Sequence, residues 1–401
     1  MGVATDAPAV TALAPGAPPP RPFRILHVNS VLTGGGTDEY CVRLVQVLRA
    51  MGHQVWVAGP GGSVFDPALA EAGLFCPPAL RNSKSRFILH VARCIRRQRP
   101  QFVHAHHGRD YWPAIFAVWL SGQPAKIVLS RHLAKSPGSW MSRQFLLSRC
   151  DAVVAVSEFV ANLLRQGAYE PASPDPERRS RPPMRGDKSK IFTAHGGIDT
   201  GQFRPMESAA LRAQWKVGPE HFVFAVAGAY DKPRGKGQRD FLLAAARIHQ
   251  QCPNARFLLI GRGSLAETLQ EDIANLGLAG KAWLTPYCPD MPQAMNAIDC
   301  LVHPAVGTEA FGLVICEALA CGRPVITSDL DGIPEALVDA ESASLIPPAS
   351  VEKLAEAMLR WARQERWNLA RRRELHEKVA ARFSLAAAGG RMCRIYAKLA
   401  G

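Results

Sequence analysis

His303-Pro304-Ala305-Val306-Gly307-Thr308-Glu309-Ala310-Phe311-Gly312-Leu313-Val314-Ile315-Cys316-Glu317, continued by 318–321 and Gly322-Arg323-Pro324-Val325-Ile326-Thr327, is the stretch that decides the fold. The apolar run Cys300-Leu301-Val302 before it reads as a buried strand. Residues 313–321 read as a short helix, with Gly322 at a left-handed C′ position and Pro324 as the stop. Val325-Ile326 opens another strand. The result is a βαβ unit holding two glutamates. On one continuous helix, Glu309 and Glu317 would stand roughly 12 Å apart along the axis and about 80° out of register. With Glu309 on the loop and Glu317 in the helix, both can face the crevice at the strand's carboxyl end, where open α/β sheets bind ligands.

Gly312 then stands at the helix start, where a side chain would block close approach. The N–H groups near Gly312, Leu313 and Val314 can receive an anion, helped by the helix dipole. Two glutamates at this spacing are, without context, ordinary surface residues. The Phe311-Gly312 pair, the preceding strand and the Gly-Arg-Pro-Val ending favour a site. Here the sequence resembles the retaining nucleotide-sugar glycosyltransferases of family 4, whose signature is Glu, seven residues, Glu, usually with Phe-Gly inside. The resemblance implies an α/β protein with the GT-B fold: two Rossmann-like domains facing a central cleft, with a C-terminal helix crossing back to the first.

The 401 residues suffice for two cores. A mean hydropathy of −0.04 fits a soluble globular protein. The net charge of +14 favours anionic partners: nucleic acid, an acidic membrane surface or phosphorylated substrates. No aromatic-basic RNA-binding motif is present, and the expectation is no nucleic acid. The ten cysteines form no C-x-x-C pair and read as reduced, mostly buried thiols of a cytoplasmic protein. No segment approaches the roughly 20 apolar residues of a membrane span, and the N-terminus lacks a secretory pattern. Residues 1–22, rich in Ala and Pro, read as a disordered tail.

The first domain is expected over 23–205. It opens with strand Phe23-Arg24-Ile25-Leu26-His27-Val28, the turn Thr33-Gly34-Gly35-Gly36, a helix over 40–51 and the strand Gln54-Val55-Trp56-Val57-Ala58. The glycines are not spaced as G-x-G-x-x-G. Their place between the first strand and helix lets backbone N–H groups touch a phosphate, and Gly34, Gly35 and Gly36 match the family's Gly-Gly loop. Residues 87–97 read as an amphipathic helix. Strand Phe102-Val103-His104-Ala105 leads to His106 and His107; alternation puts His104 and His106 on one face and His107 on the other. No carboxylate or cysteine completes a recognisable metal spacing, so no metal is assigned. The resemblance puts His107 near the acceptor and His132, past the strand ending at Arg131, at the transferred sugar, with Arg131 serving the acceptor. Residues 169–190, rich in proline and arginine, read as a mobile basic insertion.

The nucleotide-sugar domain is expected over 206–384 and the crossover helix over 385–401. Lys236-Gly237 matches a family cation that meets the donor diphosphate; the usual arginine is replaced by Ala229, and Arg234, two residues before Lys236, is the candidate substitute for it, against the reading of a solvated loop residue. Residues 283–289 match the segment beside the base. A diphosphate leaving group needs fixed positive potential, which Lys236, the glycine amides and the Gly312 helix start can supply. Glu317 would bind the ribose and Glu309 the sugar. Asp329-Leu330-Asp331 matches the D-x-D metal pattern but falls after the glutamate helix and reads as a loop. The expected activity is metal-independent, retaining hexosyl transfer to a glycan or lipid-linked acceptor in cell-envelope assembly, without a cofactor, with peripheral contact to an anionic membrane. The competing reading, motivated by Ala229, is a non-catalytic family member that binds nucleotide-sugar or a protein partner.

Overall fold

The computed structural model describes residues 22–401, apart from 34, 61–64, 66–68, 70–74, 77–82, 168–181, 232–234 and 287. The chain divides into two compact units. The first holds the described residues up to 167, those from 182 to Gly197, and Leu385–Gly401; the second holds Ile198–Ser384. The division falls at Ile198 because its N–H donates to Phe383 O (2.8 Å) and the residue bridges to Ser384.

The first unit runs β1 (Arg24–Val28), α1 (Gly36–Ala50), β2 (Gln54–Ala58), β3 (Phe75–Cys76), α2 (Lys84–Gln98), β4 (Phe102–Ala105), α3 (Tyr111–Ser121), β5 (Lys126–Arg131), α4 (Trp140–Arg149), β6 (Ala152–Ala155), α5 (Glu158–Gln166) and β7 (Ile191–Thr193). Its sheet is parallel, in the order β3-β2-β1-β4-β5-β6-β7. Parallel strands are covered on both faces, which is why β4 and β6 are buried throughout. Serine caps start α2, α4 and α5, where Ser83, Ser139 and Ser157 accept from the backbone three residues on. Helix α1 begins at Gly36, four residues before the expected start. Asp38 and Glu39 fill its first turn, where the dipole favours negative charge.

The second unit runs α6 (Ala209–Gln214), β8 (Phe222–Ala227), α7 (Gln238–Ile248), β9 (Ala255–Ile260), α8 (Ala266–Asn275), β10 (Ala282–Leu284), α9 (Met291–Ala297), β11 (Cys300–His303), α10 (Leu313–Ala320), β12 (Val325–Ser328), β13 (Ala343–Ile346), α11 (Val351–Arg363) and α12 (Leu369–Phe383). Its parallel sheet has the order β10-β9-β8-β11-β12-β13. Phe224, Phe241 and Phe257 centre its core, with Phe257 6.0 Å from each of the other two rings. The last helix, α13 (Leu385–Ala400), packs on α1 in the first unit. Its Tyr396 is fully buried beside Phe102, with ring centroids 4.7 Å apart. The two Rossmann-like units and the returning helix are those of the GT-B fold.

Of the basic segment expected at 169–190, residues 169–181 lie outside the described part. The remainder is tied to the first unit by hydrogen bonds. Met184 is buried and its N–H donates to Leu164 O, while Lys190 Nζ donates to Leu147 O and Cys150 O, both at 2.9 Å, closing the end of α4. Nine cysteines are described, all free thiols and six of them buried. Among the described residues no helix is long and apolar enough to cross a membrane.

Candidate active site

Each unit carries a polar cluster where its strands end. In the second unit, β8 leads to Lys236 and β11 to the loop bearing Glu309. Gly237 has φ +77°, and a Cβ there would stand 2.0 Å from Pro304 O, so glycine is what lets the Lys236 turn close on this loop. Val306 and Gly307 N–H groups donate to Gly235 O at 3.4 and 3.3 Å. The closure brings Lys236 Nζ into an ion pair with Glu309 Oε2, and His303 Nε2 lies 3.5 Å from the same oxygen. Burial alone would raise the Glu309 carboxyl. His303 and the Lys236 ammonium outweigh it and hold the group at about 2. The fully buried His303 is pushed down by desolvation, against the pull of Glu309. Glu309 is thus a fixed carboxylate, and Lys236, with three donors, can hold it and still meet an anion.

The Glu309 loop is pinned from β12. Asp331 Oδ2 accepts the Glu309 N–H at 3.1 Å, and the Gly332 N–H donates to Glu309 O at 3.2 Å. Asp331 takes φ +53°, a conformation that costs most residues but that Asp tolerates comparatively well. The expected loop at 329–331 is observed, and its second aspartate is committed to Glu309. Asp331→Ala is expected to lower kcat roughly three- to tenfold, the loss of about 1 kcal/mol of hydrogen bonding, with the donor KM little changed. Asp331→Gly is expected to do the same despite relaxing the backbone. Wild-type kcat in both variants would show that the loop holds Glu309 unaided.

Glu309 lies on the loop and Glu317, half-buried, lies within α10. Gly312 is the N-cap of α10 with φ +91°, a left-handed position that favours glycine. Leu313 and Val314 contribute first-turn N–H groups, which have no intrahelical partner. Arg234 lies outside the described residues. A surface hollow of about 580 Å³ lies beside the end of β10, with Trp215, Pro286, Cys288 and Asp290 among its lining residues; Lys236, Glu309 and Glu317 do not line it.

In the first unit the strand ends carry a stack of imidazoles. His27 pairs with His104 across β1 and β4. The His104 and His106 rings stack at 4.4 Å, His27 and His106 at 5.1 Å, and His106 and His132 at 6.0 Å. His104 hydrogen-bonds Tyr396 Oη and Ser130 Oγ, each at 2.7 Å, and His27 Nδ1 lies 2.8 Å from His106 Nε2. Burial lowers His27 and His132 to about 3 and His104 and His106 well below the ordinary value. His107, two residues past the end of β4, meets Asp38 Oδ1 at 2.8 Å. Asp38 also accepts from Asn29 Nδ2 and the Thr33 N–H, which fixes the turn ahead of α1. Gly35 (φ +116°) caps α1 and Gly36 opens it, and a Cβ on either would meet nothing within 4 Å. Gly34 lies outside the described residues.

Arg131 is the last residue of β5. It is buried, and its guanidinium donates to Lys135 O and Ser136 O, so it shapes the loop that carries His132. His132 itself packs edge-on to Tyr40 at 4.7 Å, and its Nε2 is buried. The three histidines of 104–107 do not gather as ligands. His27, Cys41 and His106 do bring potential ligand atoms within 4.8 Å of one another. The hydrogen bond between the two imidazoles already accounts for their approach. Sequence reading missed His303 and Asp331 in the second unit, and His27 in the first.

Two parallel Rossmann-like units, one with a carboxylate–lysine pair facing a glycine-started helix, define a class of nucleotide-sugar enzymes. The pattern described as "Glycosyltransferase Family 4" matches residues 34–173, and that described as "Glycosyl transferases group 1" matches 221–364. Phosphatidyl-myo-inositol mannosyltransferase of Mycobacterium leprae is 32% identical over 351 residues, covering 82% of this chain and 84% of the relative. The chain belongs to glycosyltransferase family 4. D-inositol 3-phosphate glycosyltransferase of Segniliparus rotundus is 33% identical over 174 residues, covering 42% of this chain and only 38% of the relative. Anabaena HepE, solved in complex with UDP, superposes with a TM-score of 0.75 at 18% identity, covering 94% of this chain and all of HepE.

Proposed function

We propose that the protein transfers a hexose, with retention of configuration, from a nucleoside diphosphate sugar to a hydroxyl of a lipid-linked acceptor. The observation that carries this is the Lys236–Glu309 pair on a loop pinned by Asp331, ahead of the α10 N-terminus. Lys236 and the first-turn N–H groups of α10 take the negative charge that develops on the departing diphosphate. Glu309 holds sugar hydroxyls and Glu317 the ribose. The glycosidic carbon–oxygen bond breaks towards the diphosphate, the acceptor oxygen attacks on the same face, and its proton passes to a phosphate oxygen. No separate base is needed. His132, neutral across the physiological range, can present a ring nitrogen to the sugar as donor or acceptor according to its tautomer. HepE's UDP supports the donor class and the phosphatidylinositol in the mannosyltransferase relative's name supports the lipid-linked acceptor.

Calorimetry tests the donor half. Lys236→Ala is expected to weaken a nucleoside diphosphate by about 1–3 kcal/mol, the range of a charge-assisted bond, and to leave the bare nucleoside unchanged. Arg234→Ala is expected to act likewise, Arg234 being the proposed substitute for the family arginine replaced by Ala229. Equal diphosphate affinity in the wild type and Lys236→Ala would remove the leaving-group assignment. Transfer is expected to survive EDTA, because Lys236 supplies the charge and Asp331 is engaged by Glu309. Activity lost to EDTA and restored by Mn²⁺ would overturn that part.

A further inference from the structure

His303 ends β11 and is fully buried. It pairs with Thr327 of β12, whose Oγ1 donates to His303 O at 3.1 Å. The next residue, Pro304, is the one that the Lys236 turn closes on at Gly237. The imidazole is thereby set against the Glu309 carboxylate. Its Nε2 stands 3.5 Å from Glu309 Oε2, too far for a good hydrogen bond, and the Lys236 ammonium already engages that oxygen. Among the described residues neither ring nitrogen has a hydrogen-bond partner, and both are buried. An unpaired buried imidazole is costly. An apolar side chain would fill the same space without that cost.

Two nitrogens thus address one carboxylate oxygen. With Lys236 on it, His303 stays neutral: burial acts most, and the nearby ammonium adds to it against the pull of Glu309. A donor diphosphate brings negative charge to Lys236 and draws the ammonium towards itself. Glu309, largely buried, is then short of its cation, and an uncompensated buried carboxylate is costly. A small movement of the His303 ring brings Nε2 into range, and a proton turns the contact into an imidazolium–carboxylate pair. We propose that His303 is a positioning residue for the transfer: it takes one proton from solvent as the donor binds, and it then holds Glu309 together with Lys236. The inference rests on the nucleotide-sugar donor proposed above. The elements packed against β11 are β8, β12 and α10. Neither β8 nor β12 carries an ionisable side chain. Helix α10 carries Glu317 and the Cys316 thiol, β11 itself carries the Cys300 thiol, and Asp331 is bound to the Glu309 N–H. None of these offers Glu309 a second cation.

The test is calorimetry of the full chain with UDP-glucose and with GDP-mannose, without acceptor, in two buffers of different ionisation enthalpy and at several pH values around neutrality. The diphosphate of a nucleotide sugar has no proton to exchange in that range, so a proton linked to binding belongs to the protein. Wild type is expected to take up as much as about one proton per donor bound, and its affinity to tighten by up to about tenfold per pH unit as pH falls. His303→Gln is expected to bind the donor about as tightly as wild type at the alkaline end, with no proton uptake and an affinity that does not change with pH. Glu309→Gln removes the charge that calls for the proton and is expected to lose the uptake too, which keeps the test open if His303→Gln does not fold. A merely structural histidine would alter the variant's melting temperature and leave the proton count unchanged. Donor binding by wild type without proton uptake overturns the inference and leaves the donor reading standing. Uptake that persists in either variant assigns the proton elsewhere and overturns it as well. If wild type binds neither nucleotide sugar, the donor reading falls and this inference with it.

Discussion

Glu309→Gln is expected to lower kcat at least tenfold, with the melting temperature changed by only a few degrees. The carboxylate is held ionised by His303 and Lys236 and kept in place by Asp331, and it faces the space ahead of α10. An amide of the same shape keeps the packing but removes the charge. It cannot accept strongly from two sugar hydroxyls, and it leaves the Lys236 ammonium without its partner. Losing a charge-assisted hydrogen bond costs about 1.5–3 kcal/mol, or roughly 10- to 150-fold in rate when the bond matters in the transition state. Steady-state kinetics with the preferred donor is the check. If kcat stays within twofold, Glu309 is a structural partner of Lys236 and does not act on the sugar.

The second large effect is on stability. His27, His104, His106 and His132 stack as buried neutral rings, each lowered chiefly by desolvation. In the unfolded chain each takes a proton near pH 6.5. Below that pH the unfolded state binds more protons than the folded one, so stability falls as pH falls. The loss continues until the folded-state values are reached, at about 3 for His27 and His132. Each ring contributes at most about 1.4 kcal/mol per pH unit in that window, and less near pH 6.5, where the unfolded ring is only half protonated. The four together therefore amount to about 4 kcal/mol between pH 6.5 and 5.5 at the upper limit, a large share of the stability of an ordinary domain. Glu309 adds nothing there: its lowered value places its loss between about pH 4.5 and 2. The first unit is expected to lose amide-exchange protection on acidification well before the second. His104→Gln should reduce the pH slope by about a quarter. Equal acid sensitivity in both units would show that the stack is not the source.

What the sequence shows of this molecule is what local spacing encodes. The β11–α10–β12 unit, Glu309 on its loop and the glycine at the helix start all follow from residues within one short stretch. Alternation placed His104 and His106 on one face, and their rings do stack. The Lys236–Glu309 pair joins residues 73 apart in sequence, and only a family resemblance brought both to the site. His27 joins the stack through the β1–β4 register, which no local pattern reveals. Asp331 acts on a backbone N–H 22 residues upstream, so its D-x-D spacing said nothing about its partner. Arg131 donates to two loop carbonyls beside His132, bonds that its neighbouring place in the sequence does not announce. The start of α1 was misplaced because Gly36-Thr37-Asp38-Glu39 has poor interior propensity, whereas it suits a first turn.

The central claim is sugar transfer with retention through the Lys236–Glu309 cluster. Its most direct test is proton NMR of the product formed from UDP- and GDP-hexoses with an inositol phospholipid acceptor, comparing wild type with Glu309→Gln. The account predicts a product whose anomeric coupling matches that of the donor sugar, formed by the wild type and at least tenfold more slowly by the variant. An inverted anomeric centre, or the same product at the same rate from both proteins, would contradict it.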